Sequence, residues 1–396
     1  MKRMMTRKEF LASMGLGTTA FFCAASGFGL PAMKSTNNKD IRGHIFPNDA
    51  PKKRWQWSIE GFHYDTDGTS VQCLVCPNQC VLEPGDRSIC RSKVNIDGKL
   101  YSLTYGNPCS VHVDPIEKKP LHHFYPRSLV LSIATTGCNL RCLNCQNWEI
   151  SQRRPGEVRH VQLFPEEVVK TAQARETPSI AYTYSEPITF YEYMYDTAGL
   201  ARQAGLKNVL VSNGYINHEP LVDLAKHLDG ANINLKSFDD NIYRSLNGGR
   251  LKPILNTFKT LHREKVWFEM TTLVVPTYVD RPEMIKRMCG WILSELGPGY
   301  PLHLLRFFPR YKLTRLPPTP VETLENLREV ALKEGIQYVY LGNVPGHEAG
   351  HTYCHNCGKI LIERRGYNIA QYNLKKDHCR FCGTLIPGRW NERGDL

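Results

Sequence analysis

From residue 129 onward the chain alternates two kinds of run. Short stretches rich in Val, Ile, Leu and Tyr, with Gly, Pro or polar residues at their ends, fall at 129–134, 179–184, 208–212, 232–236, 266–275, 302–307 and 337–341. Such runs predict buried strands. Helix-like stretches lie between them, at 165–175, 188–204, 219–227, 253–264, 282–295 and 320–334. The first opens on Pro165, which suits a first helical turn, with Glu166 and Glu167 behind it at the positive end of the helix dipole. Strand–helix repetition at a spacing of roughly 30 residues predicts an α/β fold of parallel βα units, either a partial (β/α) barrel or a doubly wound sheet. In a barrel the chemistry sits at the carboxyl ends of the strands.

The N-terminus follows a different pattern. Residues 10–33 carry no charge and basic residues precede them, which predicts a signal peptide or an N-terminal anchor over 1–33. The stretch Thr6-Arg7-Lys8-Glu9-Phe10-Leu11 resembles a twin-arginine export signal, with Lys8 in place of the second arginine. Export or a membrane tether is therefore expected ahead of a cytoplasmic location, with membrane contact through this segment only. No later apolar run reaches the ~18 residues of a membrane span. Residues 34–69 read as a linker, 70–125 as a four-cysteine metal module, 126–345 as the catalytic core and 346–396 as a second four-cysteine module.

Composition narrows the partners. The 396 residues are 41% hydrophobic and 22% charged, enough for a core and unlike a disordered chain. The net charge is +12, of which residues 1–34 contribute +4. Each metal held by four thiolates removes more positive charge, and no run of five Lys or Arg occurs, so a nucleic-acid partner is not expected.

Eleven of the 14 cysteines fall into three groups. Cys73, Cys76, Cys80 and Cys90 form C-x2-C-x3-C-x9-C; Cys138, Cys142 and Cys145 form C-x3-C-x2-C; Cys354, Cys357, Cys379 and Cys382 form C-x2-C-x21-C-x2-C. Cysteines two or three apart are poorly placed to bridge each other, so the groups predict metal sites rather than disulfides. The last group pairs two Cys-x2-Cys-Gly knuckles, which fits a zinc ribbon; the knuckles also resemble those of rubredoxin, which keeps iron open. The first group suits zinc or an auxiliary iron–sulfur cluster.

Three thiolates on one loop can wrap one face of a 4Fe–4S cube and leave an iron open for a small molecule. With a βα repeat behind it, the C-x3-C-x2-C stretch is similar to the mark of the radical S-adenosylmethionine (SAM) superfamily. The resemblance implies a 4Fe–4S cluster on Cys138, Cys142 and Cys145, with SAM as cosubstrate. It further implies SAM contacts at successive strand ends: Ser185 and Glu186 at the amino group, Ser212 and Asn213 near ribose and carboxylate, Lys236 at the carboxylate, Val275 on the adenine side, and Arg306. The stretches Asp114-Pro115-Ile116-Glu117-Lys118-Lys119-Pro120-Leu121, Cys145-Gln146-Asn147-Trp148-Glu149-Ile150-Ser151 and Arg306-Phe307-Phe308-Pro309-Arg310-Tyr311 resemble the AmmeMemoRadiSam-system enzymes, relatives of the pyruvate formate-lyase activating enzyme.

That resemblance implies reductive cleavage of SAM to a 5′-deoxyadenosyl radical, which takes hydrogen from an unidentified substrate, a protein or peptide side chain among the candidates. A reductant of ferredoxin or flavodoxin type is implied as partner. The chain departs from the pattern at Asn144, where most members carry an aromatic, and at Phe308, where relatives often carry histidine. Val211 and Asn234 stand where lyase activases place carboxylates, and their Asp-Gly-x-Gly-x-Arg stretch is absent. The last two features disfavour an alternative, activation of a glycyl-radical enzyme. A non-catalytic electron-transfer or zinc-ribbon binding protein is the remaining alternative.

Overall fold

A computed structural model of the chain describes residues 43–390. The expected leader, including Cys23, lies outside the described residues. Among the described residues no helix is long and apolar enough to cross a membrane.

The centre is an eight-stranded sheet. Seven parallel strands run in chain order: β8 (Leu129–Ala134), β9 (Ser179–Tyr182), β10 (Lys207–Ser212), β11 (Gly230–Asn234), β12 (Trp267–Val274), β13 (Leu302–Arg306) and β14 (Val339–Gly342). Each of the predicted runs forms one of these, within a few residues. Helices Pro165–Ala174, Tyr191–Gln203, His218–Ala225, Leu251–Arg263, Pro282–Glu295 and Val321–Glu334 occupy the predicted intervals. The last ends where Gly335 turns into the left-handed region at φ 113°, a conformation open to a residue without Cβ. β14 and β8 are not paired, so the sheet is a partial barrel.

Burial on both faces explains why these strands read as continuous apolar runs. Leu131, Ile133, Ile180, Tyr182, Leu210, Ile233, Phe268, Met270 and Leu304 join the main core beneath the helices. Alternate residues belong to the other face. There Val130, Ala181, Val209 and Trp267 pack on Ile116, Leu121 and Phe124, from the segment ahead of β8.

Two features were not visible in the pattern. β7 (Ser110–Pro115) adds an antiparallel edge strand beside β8, from Ser110↔Ala134 to Pro115↔Leu129, so the sheet begins inside the segment assigned to the first metal module. Residues 59–66, read as linker, form β1 (Ile59–Glu60) and β2 (Tyr64–Thr66). These strands belong to two small sheets, β1-β6-β5 and β2-β3-β4, built with β3 (Val71–Cys73), β4 (Val81–Leu82), β5 (Lys93–Ile96) and β6 (Lys99–Ser102). β1 is ordered by pairing with β6 some 40 residues away, a contact that local composition does not announce, and β2 by a hairpin with β3.

The face lined by Val130 and Trp267 is also polar. Asp114 accepts from Lys119 at 2.6 Å, and Lys119 also reaches Ser132 at 2.5 Å. Glu269 accepts from His303 at 2.6 Å and from the backbone of His122 and His123 at 2.9 and 2.7 Å. Glu269 and His303 lie near the amino ends of their strands, where the C-terminal module docks. Pro387 O bonds His123 Nδ1 at 2.7 Å, and the His123 and Arg389 backbones are joined at 2.7 Å. That module has its own core of Leu361, Ile362, Leu374, Ile386 and Trp390, closed by Tyr338 and Tyr340.

Candidate active site at the carboxyl ends of the strands

β8 ends at Ala134 and the chain turns through Thr136-Gly137 into the three-cysteine loop. Gly137 sits at φ 105°, and a Cβ there would lie 2.4 Å from Ser92 Oγ and 2.6 Å from Cys90 O. Only glycine allows that approach, so the loop is moulded on the N-terminal module. A short helix, Trp148–Ser151, closes the loop, with Gly137 N donating to Ile150 O at 3.0 Å. From the far side, Arg141 N and Leu143 N bond Asn247 O and Leu246 O at 2.8 and 2.9 Å.

Hydrogen-bond donors converge on all three sulfurs. Leu140 N lies 3.4 Å and Asn213 Nδ2 3.7 Å from Cys138 Sγ; Asn247 Nδ2 lies 3.3 Å from Cys142 Sγ; Ser151 Oγ lies 3.2 Å from Cys145 Sγ. Burial pushes the Cys138 thiol well above its ordinary range, and the nearby Glu186 carboxylate and the other two cysteines add to the shift. Burial raises Cys145 as well. Thiols so disfavoured as free anions become thiolates when a cation is present to hold them, so a metal held here would release protons on binding.

The other expected residues gather around this loop in distinct ways. Glu186 is buried and fully engaged: it accepts from Ser212 Oγ at 2.6 Å, Asn213 N at 2.8 Å and Ile188 N at 3.2 Å. It knots the ends of β9 and β10 together rather than presenting a free carboxylate, and burial raises its pKa. Ser185 Oγ donates to Thr135 O at 2.6 Å. Lys236 is half-buried, donates to Asn234 Oδ1 at 2.9 Å and lies within electrostatic reach of both Cys145 and Glu186. Val275 is buried in an apolar cluster with Ile242, Leu246 and Phe307. Arg306 turns away to Thr319 O at 2.8 Å and stacks over Phe308 at 5.1 Å.

Sequence reasoning missed Asn247, Ser151, Arg141 and Arg91. Asn247 reaches the loop from the end of a π-helical turn, Tyr243–Asn247, and Gly248 follows at φ 75°. Inserted turns of that kind mark functional positions often enough to be a signal. Arg141 donates to Cys138 O at 2.9 Å and to Ile89 O. Buried polar atoms of Asn144 (Oδ1), Asn247 (Oδ1) and Arg91 (Nη1) have no partner. Unpaired buried groups are rare, and three around one cysteine loop fit a site shaped for a polar or charged group.

Sulfur spacing separates this loop from the C-terminal group. Cys354 Sγ and Cys382 Sγ lie 3.6 Å apart, and Cys357 Sγ and Cys379 Sγ 3.8 Å. Four sulfurs on a tetrahedron with metal bonds of about 2.3 Å are about 3.8 Å apart. The two knuckles repeat one geometry: Gly358 N and Gly383 N each donate at 2.9 Å to the carbonyl of the cysteine four residues earlier. Hydrogen bonds from Thr384 pull the Cys382 thiol down to about 5, which favours the metal-binding form. Among the described residues this quartet is the one group whose ligand atoms all lie within 4.8 Å of one another. Cys138, Cys142 and Cys145 are not drawn together to that spacing.

The family model described as the Radical SAM superfamily matches residues 132–289. The uncharacterized protein MJ0808 of Methanocaldococcus jannaschii is 46% identical over 327 residues, which cover 82% of this chain and 97% of that protein. The pyruvate formate-lyase 1-activating enzyme of Escherichia coli K12 is 24% identical over 219 residues, 52% of this chain and 89% of that enzyme. Among solved structures, a radical SAM methyltransferase from Sphaerobacter thermophilus aligns over 77% of this chain and 81% of its own, with a TM-score of 0.45 and 12% identity.

Proposed function

This chain belongs to the radical SAM superfamily, as an enzyme related to the pyruvate formate-lyase activating enzymes, and from that premise we propose that it takes hydrogen from a protein or peptide substrate. Cys138, Cys142 and Cys145 would hold a 4Fe–4S cluster, which would supply the electron for reductive cleavage of SAM to methionine and a 5′-deoxyadenosyl radical. The observation that carries the reading is the loop itself: three widely set thiols at a strand's carboxyl end, hydrogen-bonded from Asn213, Asn247 and Ser151.

The chain's own residues divide the work. Lys236, within electrostatic reach of Cys145 and Glu186, would offer its ammonium to the SAM carboxylate. Ser185 and Glu186 would serve the SAM amino group, and Ser212 and Asn213, which Glu186 holds in position, the ribose and carboxylate side. Val275 supplies an apolar wall on the adenine side, and Arg306 braces that wall through Thr319. What supports a peptide substrate is a cavity of about 300 Å³ beside the loop, lined by Ser110, His112, Asp114, Lys118, Asn147 and Tyr184. It runs along β7, a sheet-edge strand whose unpaired backbone suits an extended chain.

We assign zinc to Cys354, Cys357, Cys379 and Cys382, on the tetrahedral sulfur spacing. A second reading, activation of a glycyl-radical enzyme, is favoured by the similarity to the pyruvate formate-lyase activating enzymes. Val211 and Asn234 weigh against it, because neither offers the carboxylate of the lyase activases. The test is anaerobic. Reconstituted protein, reduced with dithionite and given SAM, should release 5′-deoxyadenosine, and Cys142→Ala should release none. A fully loaded wild-type cluster that yields no 5′-deoxyadenosine overturns the reading.

A further inference from the structure

We infer that Cys73, Cys76, Cys80 and Cys90 hold a second 4Fe–4S cluster, set against the three-cysteine loop so that single electrons pass from one site to the other. The metal assignment stands by itself; the relay rests on the radical SAM reading.

The four thiols converge in the interior of the N-terminal module. Cys73, Cys80 and Cys90 are 7, 8 and 8% exposed, and each of the four lies within electrostatic reach of others in the group. None is in a disulfide. The backbone is folded to serve the sulfurs. The N–H groups of Val75, Asn78 and Ile89 face Cys73, Cys76 and Cys80, and Ser88 Oγ lies 3.0 Å from Cys90 Sγ. Amides aimed at sulfur are the outer-shell support that both zinc and iron–sulfur sites use.

Spacing chooses between the two. The C-terminal quartet shows how this chain arranges four sulfurs around one ion, at 3.6 and 3.8 Å. The N-terminal quartet does not close to within 4.8 Å, and in this it matches the three-cysteine loop. A cube needs the wider setting, because each sulfur binds a different iron.

Placement gives the cluster a purpose. Asn78 Nδ2 donates to Asn139 O at 2.8 Å and Ser92 Oγ to Thr136 O at 3.1 Å, both on the three-cysteine loop. The backbone of Gly137 approaches so closely that a Cβ there would lie 2.6 Å from the carbonyl oxygen of Cys90. Arg141 faces Cys138 on one side and Cys80 and Cys90 on the other; Arg91 faces Cys90 and Cys138, with Nη1 buried and unpartnered. Two guanidiniums between two anionic clusters would screen their repulsion and raise both potentials. One electron enters from a low-potential carrier of ferredoxin or flavodoxin class, reduces the N-terminal cluster from 2+ to 1+, and moves on to the central site. No bond changes and no proton moves.

The decisive protein is the triple variant Cys138→Ala/Cys142→Ala/Cys145→Ala, full length and purified anaerobically. It should keep about four irons and about one zinc per chain, against about eight irons in the wild type, and show a reduced 4Fe–4S EPR signal. About two zincs and no iron would overturn the assignment. This readout needs no SAM, so it separates failure of the second cluster from failure of the radical reading. For the relay, Cys80→Ser should retain the central irons and be reduced by dithionite, yet lose rapid reduction by reduced flavodoxin. Equal flavodoxin rates in Cys80→Ser and wild type would overturn it.

Discussion

At the amino ends of the strands, four thiols close to 3.6 and 3.8 Å around one point. At the carboxyl ends, three thiols stand apart on a single loop with amides and a hydroxyl on their sulfurs. Cys-x2-Cys pairs occur at both, so local spacing in the sequence does not create the difference. The surroundings do. The C-terminal knuckles repeat one turn twice and face each other, a setting that would saturate a single ion. The three-cysteine loop is instead held by elements far apart in the chain, and it has no fourth cysteine of its own. A closed site stabilises; a site one ligand short can bind and react.

The largest effect that would sharpen this contrast is on catalysis. Cys142→Ala should abolish 5′-deoxyadenosine formation, measured by chromatography, while zinc content stays at the wild-type level. Next comes the metal of the closed site. Chelating it should cost the C-terminal module several kcal/mol, because its binding free energy is folding free energy. Hydrogen exchange should then rise over residues 352–386 and leave β8–β12 protected. Loss of protection in the β8–β12 region first would break the comparison.

Between the two ends lies Asp114. Burial pushes its carboxyl up, but bonds from Lys118, Lys119 and Tyr184 outweigh burial and hold it well below the usual carboxylate range. Asp114→Asn leaves the buried Lys119 ammonium without its counter-charge, at a cost of about 3 kcal/mol in urea unfolding. The contribution is whole above the unfolded carboxyl value of about 4 and disappears as pH falls through the folded value. The variant should therefore show a flatter acid limb than the wild type.

Gly137→Ala should cost about 1–3 kcal/mol from the positive φ and the contacts at 2.4 and 2.6 Å. It should also lower iron content, since the loop must shift off the N-terminal module. The smallest effect is expected at Lys333, whose pair with Glu329 is exposed at both partners. Lys333→Ala should change stability by under about 0.5 kcal/mol.

Much of this is legible in the sequence. Seven parallel strands and their helices followed from apolar runs, because a strand buried on both faces has little choice of residue. The three-cysteine motif was readable because all its ligands come from one loop. β7 was not, since Ser110, His112 and Asp114 alternate polar residues along an edge. Asn247 was not, because it meets Cys142 from 105 residues away. Nor was the Glu269–His303–His123 network, whose members join only when the sheet curves. Glu186 was legible as a candidate SAM contact, but its hydrogen bonds from Ser212, Asn213 and Ile188 were not, because the strand ends they join meet only in the fold.

The claim that the carboxyl-end site holds a cube with one iron open is tested most directly by EPR of the reduced protein with and without SAM. Binding of SAM at a vacant iron should shift the g-values of the central signal and leave any other cluster signal unchanged. A fully reduced central cluster whose spectrum is the same with and without SAM would contradict the account.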